Sequence, residues 1–459
     1  MKRNRAWCLL AGAIAVVTAA CQTTPQDEKR SLAIAAEVER LATGRVLWPG
    51  FDPLTVPLAI FDGNRTYLFR HPKPPQGFSP LANARPAAFV LQGRDSAVTS
   101  NSSAEIGGVM TATLLADGAR EDLSSTQLAA TAIHESFHVY QRQRHPGWSA
   151  NEGGLFLYPV DNGELLALRR LESAALRRAL GATDSAQTAC WVRSALGFRD
   201  QRFAGTDSAF STYERLTELN EGLATYVELV AAGQTTVEIP PDEFPATRVR
   251  DRSYAIGPAL AFLLDRVRPD WKAQLEGDDK QVLDLMLRSA VGEADNARDT
   301  ACSLTSAEVA SLEATALDDA EKVMAARTER RREFDDKTGW RVVVRAAPGH
   351  PLWPQGFDPL NVERVEGGVL HSRFLKLGND VGSLQVIDEA GVDLEALTVG
   401  AGAHPLFNGV ETVTVAGLAK LPEILTEGQS LRINAPGLAV DLKKAIAYVV
   451  STDVLVQIQ

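Results

Sequence analysis

The hydrophobic pattern changes its period near residue 338, and this change constrains the fold more than any other feature. Between about residues 124 and 335 apolar residues recur at helical spacing, as in "ELLALRRLESAALRRAL". After residue 338 short apolar runs such as "WRVVVRA" and "ETVTVAGL" are separated by Gly, Pro and Asn, which is typical of β-strands. Before residue 124, "VPLAIF" and "RTYLFRH" flank "DGN", which predicts a β-hairpin. The chain is therefore predicted to be α+β, with a small β-sheet, a mostly helical part and a C-terminal all-β domain.

Four segments are predicted along the 459 residues. Residues 1–20 are predicted to be a signal peptide and residues 21–44 a tether and short helix. Residues 45–338 are predicted to form the α+β domain and residues 339–459 the β-rich C-terminal domain. The 45% hydrophobic content predicts folded domains with buried cores. A net charge of −11 without a basic cluster argues against a nucleic-acid partner.

The N-terminus carries an export signal. "MKRNR" is basic, and the following apolar run "AWCLLAGAIAVVTAA" is too short for a comfortable membrane span. The end of this run, "VTAACQTT", resembles the lipobox of bacterial lipoproteins, although Thr18 stands where Leu is usual. The resemblance implies lipidation of Cys21 and thus a membrane partner. Gln22, in place of Asp, implies an outer-membrane lipoprotein that faces the periplasm. Cleavage by an ordinary signal peptidase after Ala20 is the alternative.

Two cysteines remain in the mature chain once Cys8 leaves with the signal peptide and Cys21 carries lipid. An exported chain meets an oxidising compartment, which favours a disulfide between Cys190 and Cys302. This link would span 302 − 190 = 112 residues. Loop-closure entropy gives such a link about 4–5 kcal/mol of stabilisation. Two buried free thiols are the alternative.

One internal repeat is present. "LWPGFDPLTV" at residues 47–56 recurs as "LWPQGFDPLNV" at residues 352–362, and each copy precedes a predicted strand pair. Duplication of a small β module explains both copies. The alternative is a convergent turn motif, in which Trp and Phe anchor a loop and Asp-Pro sets the turn.

The segment "HESFH", residues 134–138, has the H-E-x-x-H spacing. On a helix, residues i and i+4 share a face, so His134 and His138 can bind one metal ion. Glu135 lies about 100° round the helix from His134, where it can act on a metal-bound water as general base and later as general acid. Ser124 or Ser125 is predicted to begin this helix, and the His-Pro-Gly at residues 145–147 to end it. A chance pentapeptide on a solvated helix is the alternative, and a third ligand decides between them.

A second predicted helix, "ERLTELNEGLATYVE" at residues 214–228, supplies candidate third ligands. Its "NEGLATY" resembles the N-E-G-x-A-x-Y signature of gluzincin metallopeptidases, especially their aminopeptidase-like branch. The resemblance implies a zincin-like catalytic domain, Zn²⁺ as the cofactor, Glu221 as the third metal ligand, and a peptide or protein substrate. Glu214, Glu218 and Glu228 compete for the ligand role.

Two further features follow from this helix. Gly222 costs about 1 kcal/mol relative to Ala inside a helix, which predicts a close backbone approach where the ligand helices cross. Thr225 and Glu228 lie at i+4 and i+7 from Glu221, on the same face. They are predicted to orient a histidine from behind the metal.

The segment "RSYAIG" contains the candidate oxyanion donor. Tyr254 stands three residues before Gly257, at a predicted helix start. Related gluzincins carry a Tyr in a "Y-x-K-G" element whose hydroxyl stabilises the oxyanion, and this resemblance implies that role for Tyr254. Ile256 takes the place of the lysine. The alternatives are a Tyr that packs at a helix entry, or a hydroxyl donated by Tyr226 or Tyr140.

The resemblance covers about residues 120–270 and has two departures. The separation of 221 − 138 = 83 residues is longer than the helical hairpin of the aminopeptidase-like branch. Their "G-x-M-E-N" element is absent, and "EIGGVMTATL" takes its place as a predicted substrate-side edge strand. The resemblance therefore implies zinc peptidase chemistry in the cell envelope without aminopeptidase specificity. A catalytically inert lipoprotein of the same fold, acting as a binding or assembly module, is the alternative.

Overall fold

The computed structural model describes residues 25–117, 122–241, 244–292, 302–387, 392–402 and 404–459. The predicted signal peptide and Cys21 lie outside these residues. Helices predominate up to residue 335 and strands after residue 339, so the predicted α+β fold with a strand-rich C-terminal region is confirmed. Among the described residues, none of the helices combines the length and apolar character that a membrane span requires.

The N-terminal part contains one six-stranded sheet and two helices. They are α1 (Pro25–Ala42), β1 (Leu58–Phe61), β2 (Arg65–Phe69), β3 (Ser79–Pro80), β4 (Ala88–Gln92), β5 (Ser102–Ile106), β6 (Val109–Leu115) and α2 (Ser125–Arg144). The strand order is β3-β4-β2-β1-β6-β5, and β1 and β6 pair in parallel. The predicted hairpin is present as β1 and β2, in which Phe61 pairs with Thr66. The edge strand beside β6 is β5, whereas "EIGGVMTATL" was predicted to supply the edge. Most of that segment is β6, an interior strand.

Helices dominate the middle of the chain. They are α3 (Gly163–Gly181), α4 (Ser185–Ala204), α5 (Ser208–Thr217), α6 (Leu223–Ala231), α7 (Val249–Val267), α8 (Trp271–Gly277), α9 (Leu283–Val291) and α10 (Ser306–Asp335). A π-helical turn, Glu218–Gly222, joins α5 to α6. Cys190 of α4 and Cys302 form the predicted disulfide.

The C-terminal part contains two sheets. Its elements are β7 (Trp340–Arg345), β8 (Trp353–Phe357), β9 (Val362–Val365), β10 (Gly368–His371), β11 (Phe374–Asn379), β12 (Gly382–Ile387), β13 (Glu395–Gly400), α11 (Pro405–Asn408), β14 (Val410–Leu418), β15 (Glu423–Glu427), β16 (Ser430–Ala435), β17 (Leu438–Leu442), β18 (Ala445–Val450) and β19 (Asp453–Ile458). The strand orders are β18-β19-β7-β14-β13-β10-β9 and β15-β16-β17-β12-β11-β8. One hydrophobic cluster joins buried residues of both sheets, among them Val344, Val413, Leu384 and Ile433. The alternating pattern that predicted these strands therefore places one face of each sheet in a shared core.

Two compact units divide the described chain. The first comprises the described residues of Met1–His145 with Val227–Gln234, and the second those of Pro146–Tyr226 with Thr235–Gln459. The division passes between Tyr226 and Val227, inside α6, so a single continuous helix carries residues of both units. The predicted domain boundary after residue 338 coincides with the change from α10 to β7, and as a division into domains it stays a prediction.

The two copies of the repeat have similar local structures. In each, a short 3₁₀ turn follows the aspartate, at Pro53–Thr55 and Pro359–Asn361, and a strand hairpin follows the turn. Their tryptophans differ, because Trp48 is 1% exposed and Trp353 is 46% exposed. The first copy thus contributes to a core, whereas the second copy leaves its tryptophan half in solvent.

Helix α1 begins earlier than the predicted tether allows. It starts at Pro25, within the polar stretch "QTTPQDEKR". Ile34, Ala35 and Val38 are fully buried along one side of the helix. Only residues 21–24 therefore separate Cys21 from this packed helix, and they lie outside the described residues.

Candidate metal centre

Helix α2 presents the H-E-x-x-H segment, and both of its ends are defined as predicted. The Ser124 hydroxyl accepts a hydrogen bond from the Gln127 amide, and Gln127 Oε1 accepts one from the Ser124 amide at 3.0 Å. This reciprocal capping satisfies backbone donors that the first helical turn leaves unpaired. At the other end His145 caps the helix just before Pro146.

One side of α2 is locked by aromatic packing. Phe137 is fully buried, and its ring lies 5.5 Å from that of Trp48 and 5.1 Å from that of Phe51, both edge-on. Edge-to-face pairs of this kind add about 0.5–1.5 kcal/mol beyond the burial itself. The first copy of the repeat therefore fixes the rotation of α2 about its axis, and with it the direction of His134 and His138.

The two histidines face each other through the same ring atom. Their Nε2 atoms lie 3.1 Å apart. Nδ1 of His134 lies 3.1 Å from Oε2 of Glu228, and Nδ1 of His138 lies 2.8 Å from Oε1 of Gln141. Carboxylate and amide oxygens only accept hydrogen bonds, so each Nδ1 carries the proton and donates it. In the neutral imidazoles both Nε2 atoms then carry lone pairs, and these two atoms are neighbours.

This arrangement fits a metal ion. Two imidazole lone pairs at 3.1 Å repel each other unless a cation lies between them, and zinc binds neutral imidazole nitrogens of this kind. Glu228 and Gln141 supply the hydrogen bonds that metal-binding histidines require on their second nitrogen. Glu228 thus lies beside a histidine, as predicted, and its role in orienting that histidine stays a prediction. Glu228 also accepts a hydrogen bond from the Thr131 hydroxyl at 3.1 Å.

Glu221 completes the candidate ligand set. Ligand atoms of His134, His138 and Glu221 all lie within 4.8 Å of one another. Glu221 precedes Glu228 on the same continuous helical segment, by two turns, and Glu228 is itself bonded to His134. Two imidazoles and one carboxylate are the ligand set of many catalytic zinc sites. The three side chains singled out as metal ligands from the sequence are therefore brought together.

The competing glutamates have other partners. In a continuous α-helix Glu214, Glu218 and Glu221 would share one face, at i, i+4 and i+7. The π-helical turn Glu218–Gly222 breaks this face, because an i→i+5 turn holds more residues than an α-turn. Glu214 and Glu218 contact arginines of the helix α4, whereas Glu221 lies in the candidate ligand set with the histidines.

These arginines belong to a buried ionic network on α3, α4, α5 and α7. Its members are all between 1% and 6% exposed: Glu172, Arg199, Arg202, Glu214, Glu218 and Arg252. Arg199 donates to Glu172 at 2.8 Å and to Glu218 at 2.5 and 2.9 Å. Burial acts to raise the pKa of Glu172, but Arg199, Arg252 and Arg202 outweigh it and hold this pKa well below its usual range. In Glu218 burial prevails over the pairing with Arg199, and the pKa of this carboxyl group is raised.

A close backbone approach occurs at Gly222, as predicted, but with a different helix. A Cβ atom added to Gly222 would lie 2.6 Å from the Cα of Gly257, and one added to Gly257 would lie 2.4 Å from the Cα of Gly222. The prediction that Gly222 lets the two ligand helices cross is wrong, because its partner is α7. Tyr254 was also predicted to stand at a helix start, whereas α7 begins at Val249 and holds Tyr254 in its second turn.

The hydroxyls of the other candidate residues are bonded away from the ligand set. Thr225 donates to the backbone carbonyl oxygen of Glu221 at 2.9 Å, and its predicted role in orienting a histidine stays a prediction. Tyr226 donates to Asp265 at 2.7 Å, and Tyr140 donates to the carbonyl oxygen of Pro49 at 3.2 Å. The role of Tyr254 as oxyanion donor stays a prediction. Glu135, the expected general base, is 7% exposed.

Sequence reasoning missed Arg250. It lies one turn before Tyr254 on α7 and donates to Oε1 of Glu221 at 2.7 Å. Burial acts to lower the pKa of Arg250, but Glu221, Tyr254 and Glu152 together outweigh it and raise this pKa above its usual value. An earlier start for α7 would have revealed Arg250 and Tyr254 as neighbours at i and i+4.

Comparisons with known proteins identified no relative of this chain. No family model, no curated protein and no solved structure matches the chain. The resemblance to gluzincins therefore depends on the motifs at residues 134–138 and 220–226 alone.

We expect one zinc ion per chain, held through His134, His138 and Glu221. The Glu221→Ala variant loses a ligand and should lose most of its zinc, whereas Glu228→Gln should lower zinc affinity by about 10–100-fold because it only weakens the orientation of His134. Metal analysis after dialysis, with the exposed Glu164→Ala as control, measures both effects. Equal zinc content in wild type and Glu221→Ala would remove Glu221 from the site.

Proposed function

We propose that the protein is a zinc-dependent peptide-bond hydrolase of the gluzincin type. One observation carries the proposal: Glu228 and Gln141 hold the Nδ1 protons of His134 and His138, so that both Nε2 lone pairs meet beside Glu221. This arrangement prepares three ligands for a divalent cation before the cation binds. A zinc ion held there would polarise a peptide carbonyl and activate a water molecule.

Glu135 is proposed as the general base and then the general acid. It stands next to His134 on a capped and tightly packed helix, and its carboxyl group is almost fully buried. A carboxylate in this position takes the proton of the attacking water and returns it to the leaving amine. Its place in the chain, between the two histidines, keeps it beside the reacting atoms without using it as a ligand.

The substrate is proposed to be an extended peptide that pairs with strand β5. This strand is the edge of the N-terminal sheet next to β6, and an edge strand offers unpaired backbone groups. Arg142 of α2 donates to the carbonyl oxygen of Ser103 at 3.1 Å, which holds β5 against the helix that carries the histidines. Backbone pairing of this kind accepts many side chains, so it favours peptides as a class.

We expect Glu135→Gln to retain zinc and fold but to abolish hydrolysis. Glutamine keeps the shape of the side chain but cannot accept a proton. Cleavage of a quenched-fluorescence peptide library, with zinc content measured on the same samples, makes the comparison. Undiminished turnover by the variant would exclude this mechanism, and a zinc-loaded wild type without any turnover would favour the binding or assembly module.

Tyr254 is proposed as the oxyanion donor. It lies one turn after Arg250, whose guanidinium is bonded to Glu221 and lies 5.7 Å from the centre of the Tyr254 ring. We expect Tyr254→Phe to lower kcat by about 10²–10³-fold, because one donor to the oxyanion contributes about 3–4 kcal/mol to the transition state. Zinc content and melting temperature should stay near those of wild type. A stability loss with unchanged kcat would assign Tyr254 to packing.

We further propose that a lipid on Cys21 anchors the protein at the outer membrane, facing the periplasm. The support is the basic and apolar N-terminus followed by the lipobox-like "TAAC". We expect Cys21→Ser to lose labelling by a fatty-acid probe and to move into the soluble fraction. Identical fractionation of variant and wild type would contradict the anchor.

A further inference from the structure

The guanidinium of Arg250 is held from three directions. One nitrogen donates to Oε1 of Glu221 at 2.7 Å, and Nε donates to Oε1 of Glu152 at 3.3 Å. The ring of Tyr254 lies 5.7 Å from its central carbon. Glu152 is fixed in turn, because its other oxygen accepts from the Tyr213 hydroxyl at 3.1 Å. The ion pair with Glu221 is therefore one part of an ordered set of contacts.

We propose that Arg250 is the positioning residue of the candidate metal centre. By binding Oε1 of Glu221, it would fix the plane in which this carboxylate meets the cation. This inference rests on the proposed function, since it assigns how that same centre is assembled and regulated. Arg250 itself is not a ligand, because a guanidinium has no lone pair to offer a cation.

The geometry favours positioning over an incidental surface ion pair. The side chain of Glu221 is 6% exposed, whereas that of Arg250 is 40% exposed. A buried carboxylate without a partner rotates toward whatever donor it can reach, and a planar guanidinium fixes it in one plane. The same guanidinium also contacts Glu152. It therefore links the carboxylate plane of Glu221 to the segment Glu152–Leu157.

That segment is anchored in the C-terminal part of the chain. The ring of Phe156 lies 6.1 Å from that of Phe357, 5.8 Å from that of His404 and 6.3 Å from that of Phe407. Asn151 caps the segment by accepting from the Gly153 amide at 3.1 Å. The aromatic contacts thus give the strand-rich part a role at the metal centre, through Glu152 and Arg250.

Two effects of Arg250 on metal affinity oppose each other. Its charge repels a bound cation, so removal of the charge alone would strengthen binding. Its hydrogen bond orients a ligand, and removal of such an orienting contact typically weakens binding by about 10–100-fold. The partly exposed position of Arg250 screens the first effect, and the burial of Glu221 strengthens the second. The net expectation is weaker zinc binding without Arg250.

The test measures zinc affinity of the full chain by competition with a chromophoric chelator, at one fixed pH. We expect Arg250→Met to weaken binding by about 10–100-fold. Arg250→Lys should restore only part of the loss, because an ammonium keeps the charge without the fork. Glu152→Gln should weaken binding less, and the double variant Arg250→Met with Glu152→Gln should be no worse than Arg250→Met. Melting temperatures of the metal-free variants should match wild type.

Arg248→Met is the matched control. Arg248 lies at the same end of α7, and its exposed side chain pairs with Asp251 at 2.6 Å, so its variant should bind zinc like wild type. Unchanged or tighter binding by Arg250→Met would overturn the positioning role. A wild type that binds zinc no better than a His134→Ala variant would instead overturn the proposed metal centre, so the two failures are distinct.

Discussion

Three buried arginines hold the helical segment from which the candidate metal centre is built. Burial of an ion pair stabilises a fold only when every charge is matched, and removal of one partner typically costs about 3–5 kcal/mol. Here Arg199 and Arg202 of α4 and Arg252 of α7 meet carboxylates of α3 and of the segment that carries Glu221. The network therefore sets where that segment lies against α4 and α7. These charges therefore also determine where Glu221 lies.

A regular helix would present four glutamates on one face, and the π-helical turn gives these glutamates different partners. Glu214 lies before the turn, Glu218 is its first residue, and both are paired with arginines. Glu221 and Glu228 lie beyond its first residue and serve the histidines, one as candidate ligand and one as hydrogen-bond partner of His134. Within the 15 residues from 214 to 228, the turn thus separates glutamates that pair with buried arginines from glutamates that belong to the candidate metal centre. A single residue deleted from the turn would restore the regular helix and rotate one group relative to the other.

Local spacing predicted the features that depend on one helix. The shared face of His134 and His138, the cap at Ser124 and the i+7 placement of Glu228 all follow from 3.6 residues per turn. Local spacing did not predict which distant segments contact each other. The glycine of the NEG motif signalled a close approach, but its partner, Gly257, is set by how α7 packs. Arg250 was missed because α7 begins at Val249, without a capping side chain to mark its start. The π-turn has no sequence signature, since it results from packing on both of its sides.

The glycine pair also bears on how relatives of this chain can be recognised. Any side chain at Gly222 or Gly257 must push the two helices apart, because a methyl carbon at either position would lie within 2.6 Å of the opposite backbone. Such a shift moves Arg250 away from Glu221. A substitution at either glycine alone would therefore change the ligand geometry. Two glycines 257 − 222 = 35 residues apart, the first directly after a glutamate, therefore form a long-range sequence marker. Together with H-E-x-x-H upstream, this marker defines a pattern by which chains with the same helix crossing can be sought.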